Sequence, residues 1–237
     1  MPNSAVRSGP RIFSGNALKC IAATTMVVDH IGVLFFPYES LFRIIGRLAF
    51  PIFAFMIAEG CHYTRHRLRY FLGIFLLGAV CQVVYFVASG DVYWNVLLTF
   101  SGSIPVIYLL QEWKTRKNHL FMLPFAAAVA AAYVLNRYLT IDYGFWGMMV
   151  PVFVALLYPE KGEAVSSWRH LGRVVLLTLG LILLAYSSGR IQFYSLLTVP
   201  ILLLYSGKRG KGRFKYGFYL FYPLHLVALQ IIAWLLA

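Results

Sequence analysis

Apolar runs of about 15 to 22 residues follow one another along the whole chain, separated by short polar breaks. A helix needs about 20 residues to cross a hydrocarbon layer of roughly 30 Å. The pattern therefore predicts about nine membrane spans, near 18–37, 41–63, 68–88, 95–111, 120–136, 143–158, 171–187, 191–206 and 215–236. The fourth, sixth and eighth are short and carry Pro105, Pro151 and Pro200, while Pro51 and Pro223 sit inside the second and ninth. Proline frees a backbone carbonyl and kinks a helix, which a membrane tolerates where neighbouring helices or cavity water satisfy it. Kinked helices around a wet central cavity are expected.

Composition agrees with that pattern. Of 237 residues, 60% are hydrophobic and 12% charged, with a mean hydropathy of +0.73, against roughly 25% charged in a soluble domain. The predicted class is all-α, a single polytopic transmembrane domain spanning 1–237. A net charge of +13 would suggest nucleic acid in a soluble chain. Here the basic residues follow the rule that they gather on the cytoplasmic side of membrane helices. With the N-terminus inside, Arg7, Arg11, Lys19, Arg65, Arg67, Arg69, Lys114, Arg116, Lys117, Lys161, Arg169, Arg173 and "KRGKGRFK" all fall there. Only four of the 21 basic residues, Arg43, Arg47, Arg137 and Arg190, fall in the outer half. Topology and attraction to anionic lipid account for the charge, so the partner is the bilayer and no nucleic acid is expected. The first apolar run is too long for a cleaved signal peptide. Cys20, Cys61 and Cys81 show no ligand-like spacing, so free thiols and no metal site are expected.

Two ionisable residues interrupt the first span in "MVVDHIGVLFF", namely Asp29 and His30. His30 lies seven residues from the outer end, roughly 10 Å deep by helical rise. Arg47 lies six residues into the second span, roughly 9 Å from the same face, so the two meet at one depth on consecutive helices. Arg43 and Arg47 are four apart and share a helix face, with Gly46 beside them for close approach. Intramembrane charges are costly and by default mark a functional site. Adjacent residues point about 100° apart on a helix, so Asp29 does not orient His30 directly. Asp29 bridging the arginines as glue between helices is the structural reading of the same residues.

The ninth span adds His225, with Pro223 just before it and Tyr219 and Tyr222 within reach of its face. On the outer side stand Asp91 and Asn95, then Arg137, Asp142 and Tyr143, then Arg190 and Gln192. Glu59 and His62, near the inner end of the second span, stand where they would guard a cytoplasmic mouth or snorkel to water.

Four ordered motifs, "ALKCIAATTMVVDHIG", "FRIIGRLAFPIFAFMIAEG", "DYGFWG" and "FYLFYPLHL", together resemble the TraX family. These are membrane proteins named for a conjugation protein that acetylates pilin, and they resemble in turn the wider type three membrane acyltransferases. The resemblance implies a bacterial inner-membrane protein in which His30 is the catalytic histidine and Arg43 and Arg47 serve the acyl donor. The wider group's spacing between its arginines is not reproduced here.

Acyl transfer from a thioester needs a base near neutral pKa, a cationic or hydrogen-bonding environment for the developing oxyanion, and anchorage for an anionic donor. Histidine suits the first task and arginine the other two. The expected co-substrate is acetyl-CoA, with Asp29 assisting His30 and with Arg43, Arg47, Glu59, Asn95, Asp142, Tyr143, Arg190, Tyr222 and His225 lining the donor or substrate site. Acetyl-CoA is made in the cytoplasm and His30 lies nearer the outer face, so a tunnel is expected between them, with "KRGKGRFK" near its mouth. The acceptor would be a hydroxyl or amine at the outer face. The rival reading is a transporter or flippase for an anionic substrate, with Asp29, His30, Arg43 and Arg47 as an ion or proton path. A third is a non-catalytic assembly factor for surface structures.

Overall fold

The computed structural model describes residues 12–90, 92, 94–160, 165–210 and 215–236. Arg7, Arg11, Asp91, Lys161 and positions 211–214 of the basic segment lie outside the described residues, as does the side chain of Tyr219. Among the described residues the architecture is helical, with no strand beyond two isolated bridges, Phe13 to Tyr205 and Trp94 to Ile141. In chain order the helices are α1 (Gly15–Phe35), α2 (Ser40–Gly46), α3 (Ala49–Tyr63), α4 (Arg67–Ser89) and α5 (Val96–Arg116). They continue with α6 (Met122–Tyr138), α7 (Gly144–Ala155), α8 (Ser167–Ser188), α9 (Val199–Leu203) and α10 (Lys215–Leu236). A 3₁₀ turn, His119–Phe121, opens α6, and a longer one, Arg190–Thr198, leads into α9.

Six stretches are long and apolar enough to cross a membrane, and three shorter apolar ones accompany them, at Gly144–Ala155, Arg190–Leu203 and Leu220–Leu236. The protein is a polytopic membrane protein. The short elements coincide with the sixth, eighth and ninth predicted spans, whereas the fourth forms a full 21-residue helix despite Pro105. The second predicted span is broken into α2 and α3. The break falls at Arg47–Leu48, because Pro51, four residues on, has no N–H for the Arg47 carbonyl and its ring crowds that oxygen. The chain tightens there, with the Arg47 N–H shared between the carbonyls of Arg43 and Ile44 at 3.1 and 3.2 Å.

Helix α3 is the axis of the fold: Ala49 to Ile52, Ala54 to Glu59, Cys61 and His62 are all buried. Around it pack α1, α5, α7, α8 and the Arg190–Thr198 turn, and Phe50, Phe55, Phe100, Ile104, Met148, Leu177 and Leu181 fill the shared core. Helices α4 and α6 are peripheral and carry outward Leu72, Leu76, Val80, Val83, Leu123 and Val134. Such an aliphatic belt is what lipid, rather than water, covers. At the edge facing α10, a smaller cluster of Met26, Cys81, Leu97, Tyr222 and Leu226 joins α1, α4, α5 and α10. The helix order separates the charges. Arg65, Arg67, Arg69, Lys114, Arg116, Lys117, Arg169, Lys208 and Arg209 lie at one end of the bundle, and Arg43, Arg47, Arg137 and Arg190 lie toward the other.

Candidate functional site

Helices α1 and α2 form a tight antiparallel hairpin that only glycine permits. A Cβ at Gly32 would lie 2.2 Å from the Phe42 Cβ, and one at Gly46 would lie 2.2 Å from Asp29 Oδ1. This contact brings Asp29 against both arginines. Arg43 Nη1 donates to Asp29 Oδ2 at 3.1 Å, and Arg47 Nη2 donates to Oδ1 at 3.2 Å and Oδ2 at 3.3 Å. The remaining Arg47 groups are also placed: Nη1 donates to Gln192 Oε1 at 3.2 Å and Tyr143 Oη at 3.5 Å, and Nε to the Arg43 carbonyl at 3.4 Å. Asp29 thus serves two cations. Arg43 keeps 35% of its side-chain surface open, against 10% for Arg47.

The "DYGFWG" segment presents Tyr143 to this cluster. Tyr143 adopts φ 61° and Gly144 φ 57°; the left-handed region is costly for tyrosine and free for glycine. The strain is held by Asp142 N–H to the Trp94 carbonyl at 2.8 Å, Gly144 N–H to the Ile141 carbonyl at 2.9 Å, and Tyr143 stacking on Phe50 at 4.1 Å. Gly147 leaves room below, since a Cβ there would lie 2.3 Å from the Tyr143 Cβ. In the connection between α6 and α7, burial pushes the Asp142 carboxyl up to about 6, against the downward pull of Arg47.

His30, one residue on from Asp29, faces different helices, as the 100° step requires. Its Nδ1 lies 3.1 Å from His225 Nε2 on α10, and its Nε2 lies 3.2 Å from the Tyr85 hydroxyl on α4. The far nitrogen of His225, Nδ1, lies 3.0 Å from the Phe221 carbonyl. For neutral rings the chemistry fixes every direction. A carbonyl only accepts, so His225 Nδ1 carries its ring proton, His225 Nε2 accepts, and His30 Nδ1 donates. His30 Nε2 is then the unprotonated nitrogen, accepting from Tyr85. The result is a directional chain, Tyr85 O–H to His30, His30 to His225, His225 to the Phe221 carbonyl, with the basic lone pair at His30. Tyr222 and Phe221 frame His225 with ring centroids 5.6 and 5.1 Å away. A cleft of about 90 Å³, lined by His30, Val33, Val84, Tyr85, Leu226 and Gln230 among others, opens beside this chain between α1, α4 and α10.

The structure brings Asp29, His30, Arg43, Arg47, Tyr143, Gln192, Tyr222 and His225 into this region, with Asp142 adjacent. Three sequence expectations fall elsewhere. Asn95 caps α5, accepting from Leu97 and Leu98 N–H and donating to the Gly78 carbonyl at 2.8 Å. Arg190 is exposed at the start of the 3₁₀ segment. Glu59 lies at the other end of α3, accepting from the Tyr205 hydroxyl at 2.5 Å. Tyr85 completes the chain unannounced by the sequence, since α4 also carries Tyr70, Phe71, Phe75 and Phe86 and nothing in its pattern sets Tyr85 apart.

Comparisons with known proteins bear on this geometry. The chain is 28% identical over 246 aligned positions to a probable fimbrial assembly protein, FimC of serogroup H1, from Dichelobacter nodosus, covering 92% of this chain and 94% of that protein. An uncharacterized protein of Rickettsia prowazekii (strain Madrid E) is 35% identical over 66 residues, 28% of this chain and 25% of that protein. No solved structure matches the fold. The TraX protein family model matches residues 14–233, which include every site residue described above, and the chain belongs to the TraX family.

Proposed function

We propose that the protein is a membrane-embedded acyltransferase of the bacterial inner membrane, with its N-terminus in the cytoplasm. It transfers acetyl from cytoplasmic acetyl-CoA to a hydroxyl or amine of an acceptor at the outer face. The observation that carries this reading is the directional chain that leaves His30 Nε2 unprotonated: a base with a defined lone pair, held by one neighbour on each ring nitrogen beside an open cleft. General-base catalysis requires that arrangement, and it contributes typically 10²- to 10⁴-fold. In this scheme the acceptor O–H or N–H gives its proton to the Tyr85 oxygen while Tyr85 passes its own to His30 Nε2. The freed acceptor lone pair forms the bond to the thioester carbonyl carbon. Collapse breaks the carbon–sulfur bond, and the departing thiolate takes the proton back from His30 by the same route. Arg43, whose surface is partly open, meets the anionic donor or the developing oxyanion, and Arg47, saturated by protein partners, holds Asp29, Gln192 and Tyr143 in register. Asp29 is a positioning residue for the arginines.

The relative's association with fimbrial assembly supports an acceptor among surface structures, whether pilin, lipid or polymer. The rival, a transporter using Asp29, His30, Arg43 and Arg47 as an ion path, is less well supported because Asp29 is already engaged by both arginines. Release of free coenzyme A thiol separates the two. Purified protein supplied with acetyl-CoA and an envelope fraction from a strain lacking the gene should liberate thiol in step with acetyl incorporation. Thiol production no higher than in protein-free controls would exclude acetyl transfer to any acceptor in that fraction and favour the carrier.

A further inference from the structure

The walls of the cleft beside His30 say what kind of molecule can present its reacting group there. Between α1, α4 and α10 they are aliphatic, formed by Val33, Leu34, Val84, Leu226 and Leu229, and among the described residues no Asp, Glu, Lys or Arg lines them. At about 90 Å³ the cleft is well below the roughly 300–1,000 Å³ of pockets that enclose a whole small molecule. Only the reacting end of an acceptor fits, so the rest of that molecule lies against the surface around the mouth. That surface is aliphatic too, with Val33 48% exposed, Val83 62%, Val87 71% and Ile231 51%, and it continues into the outward belt of α4 that hydrocarbon covers. The arginine cluster lies on the α2 side of α1, so the anchor for an anionic donor and the cleft stand on different sides of that helix.

Three polar side chains line the cleft at one depth. Tyr85 lies four residues before the end of α4 at Ser89, His30 five before the end of α1 at Phe35, and Gln230 six before the end of α10 at Leu236, about 6 to 9 Å of helical rise. Tyr85 and His30 bond each other. The half-buried Gln230 amide takes no partner among the described residues, although six apolar residues, Ile231 to Leu236, follow it to the end of the helix. An amide left unbonded at membrane depth is costly, and a polar group of a ligand in the cleft would complete it. We propose that the acceptor is a bilayer lipid bearing a hydroxyl or primary amine, which enters sideways from the hydrocarbon layer between α1, α4 and α10 and is oriented by the Gln230 amide. The proposal rests on the acyl-transfer reading and narrows its acceptor. The lipid O–H or N–H gives its proton to the Tyr85 oxygen as Tyr85 passes its own to His30 Nε2. The freed lone pair then bonds the acetyl carbonyl carbon, the carbon–sulfur bond breaks, and the thiolate leaves with the proton returned by His30.

The test follows where the acetyl group goes. Purified full-length protein is given labelled acetyl-CoA and an envelope fraction from a strain lacking the gene, thiol release is recorded, and the products are divided between chloroform–methanol and water. The expected result is label that is soluble in chloroform–methanol, resistant to protease and equal in amount to the thiol released. Thiol release with the label in a water-soluble polymer, or in protease-sensitive material, overturns the lipid acceptor and leaves acyl transfer standing. Thiol release no higher than in protein-free controls removes the acyl-transfer reading and this proposal with it. Two variants then test the cleft against the extracted lipid fraction. Gln230→Met keeps length and bulk but loses the amide, and should raise the half-saturating amount of lipid roughly 2- to 13-fold, the worth of one hydrogen bond, with the rate at saturation and the Tm unchanged. Leu229→Trp fills the cleft and should cut lipid labelling at least tenfold while acetyl-CoA binding stays as in wild type. Should the tryptophan lower the Tm, Gln230→Met decides, and a half-saturating amount unchanged in that variant overturns the assignment of the cleft.

Discussion

His225 offers the sharpest test of the hydrogen-bond chain, because its proposed role toward His30 is to accept one hydrogen bond. His225→Leu puts an apolar side chain of similar bulk in its place and leaves the His30 Nδ1–H, now bonded at 3.1 Å, without its acceptor. An unsatisfied buried donor costs about 1–3 kcal/mol. In the intact protein that donor fixes which nitrogen of His30 stays basic, so the cost falls on the reactive tautomer. At 1.36 kcal/mol per tenfold, transfer should slow by roughly 5- to 160-fold. His225→Gln restores a carbonyl oxygen in reach of Nδ1–H and should recover most of that loss. The assay is incorporation of labelled acetyl from acetyl-CoA into an acceptor-containing envelope fraction, with thermal unfolding alongside. Equal damage from Leu and Gln, or no damage from Leu, would refute the tautomer argument. A lowered Tm matching the lost activity would make His225 a packing residue instead.

Other consequences follow from the arginine cluster and the charge distribution. Arg47→Lys should be nearly as damaging to acetyl incorporation as Arg47→Ala, since three N–H groups on one nitrogen cannot reproduce the planar guanidinium contacts from Nε, Nη1 and Nη2 to the Arg43 carbonyl, Gln192, Tyr143 and Asp29; near wild-type incorporation by the lysine variant would make Arg47 a generic charge. Gly46→Ala forces a methyl within 2.2 Å of Asp29 Oδ1 and should cost about 1–3 kcal/mol, lowering Tm by roughly 2 to 12 °C, whereas an unchanged Tm would show that the α1–α2 hairpin adjusts freely. An impermeant thiol reagent applied to intact cells should label a cysteine at Arg190 and spare one at Lys208, and the reverse pattern would invert the orientation.

Much of the fold was legible because a membrane span is written in length and hydropathy, and six such stretches have both. The breaks were harder to read. Pro51 was visible, but a proline kink displaces the chain at the carbonyl four residues earlier, so the break emerges at Arg47, where the second span parts into two helices. Depth set His30 opposite Arg47, but the 100° step turns His30 toward His225 and Tyr85, and it is Asp29, the glue of the structural reading, that bonds both arginines. Pairing of His30 with His225 was not legible, because nothing in one sequence says that the first and last helices are neighbours. Tyr85 was invisible for the same reason, and Asn95 misled because an N-cap and a ligand-binding amide look alike in sequence. Glu59 and His62 lie at the basic end of the bundle, near the buried Arg173, whose burial a count of topology charges does not reveal.

The central claim is that His30 is the base of an acyl transfer. Its most direct test is acetyl incorporation by purified His30→Ala beside wild type, with both shown to unfold at the same temperature. The account predicts a loss of about 10²- to 10⁴-fold in the variant, since removing one imidazole beside an open cleft of about 90 Å³ costs little packing. Incorporation by folded His30→Ala at a near wild-type rate would contradict it and take the chemistry away from this histidine.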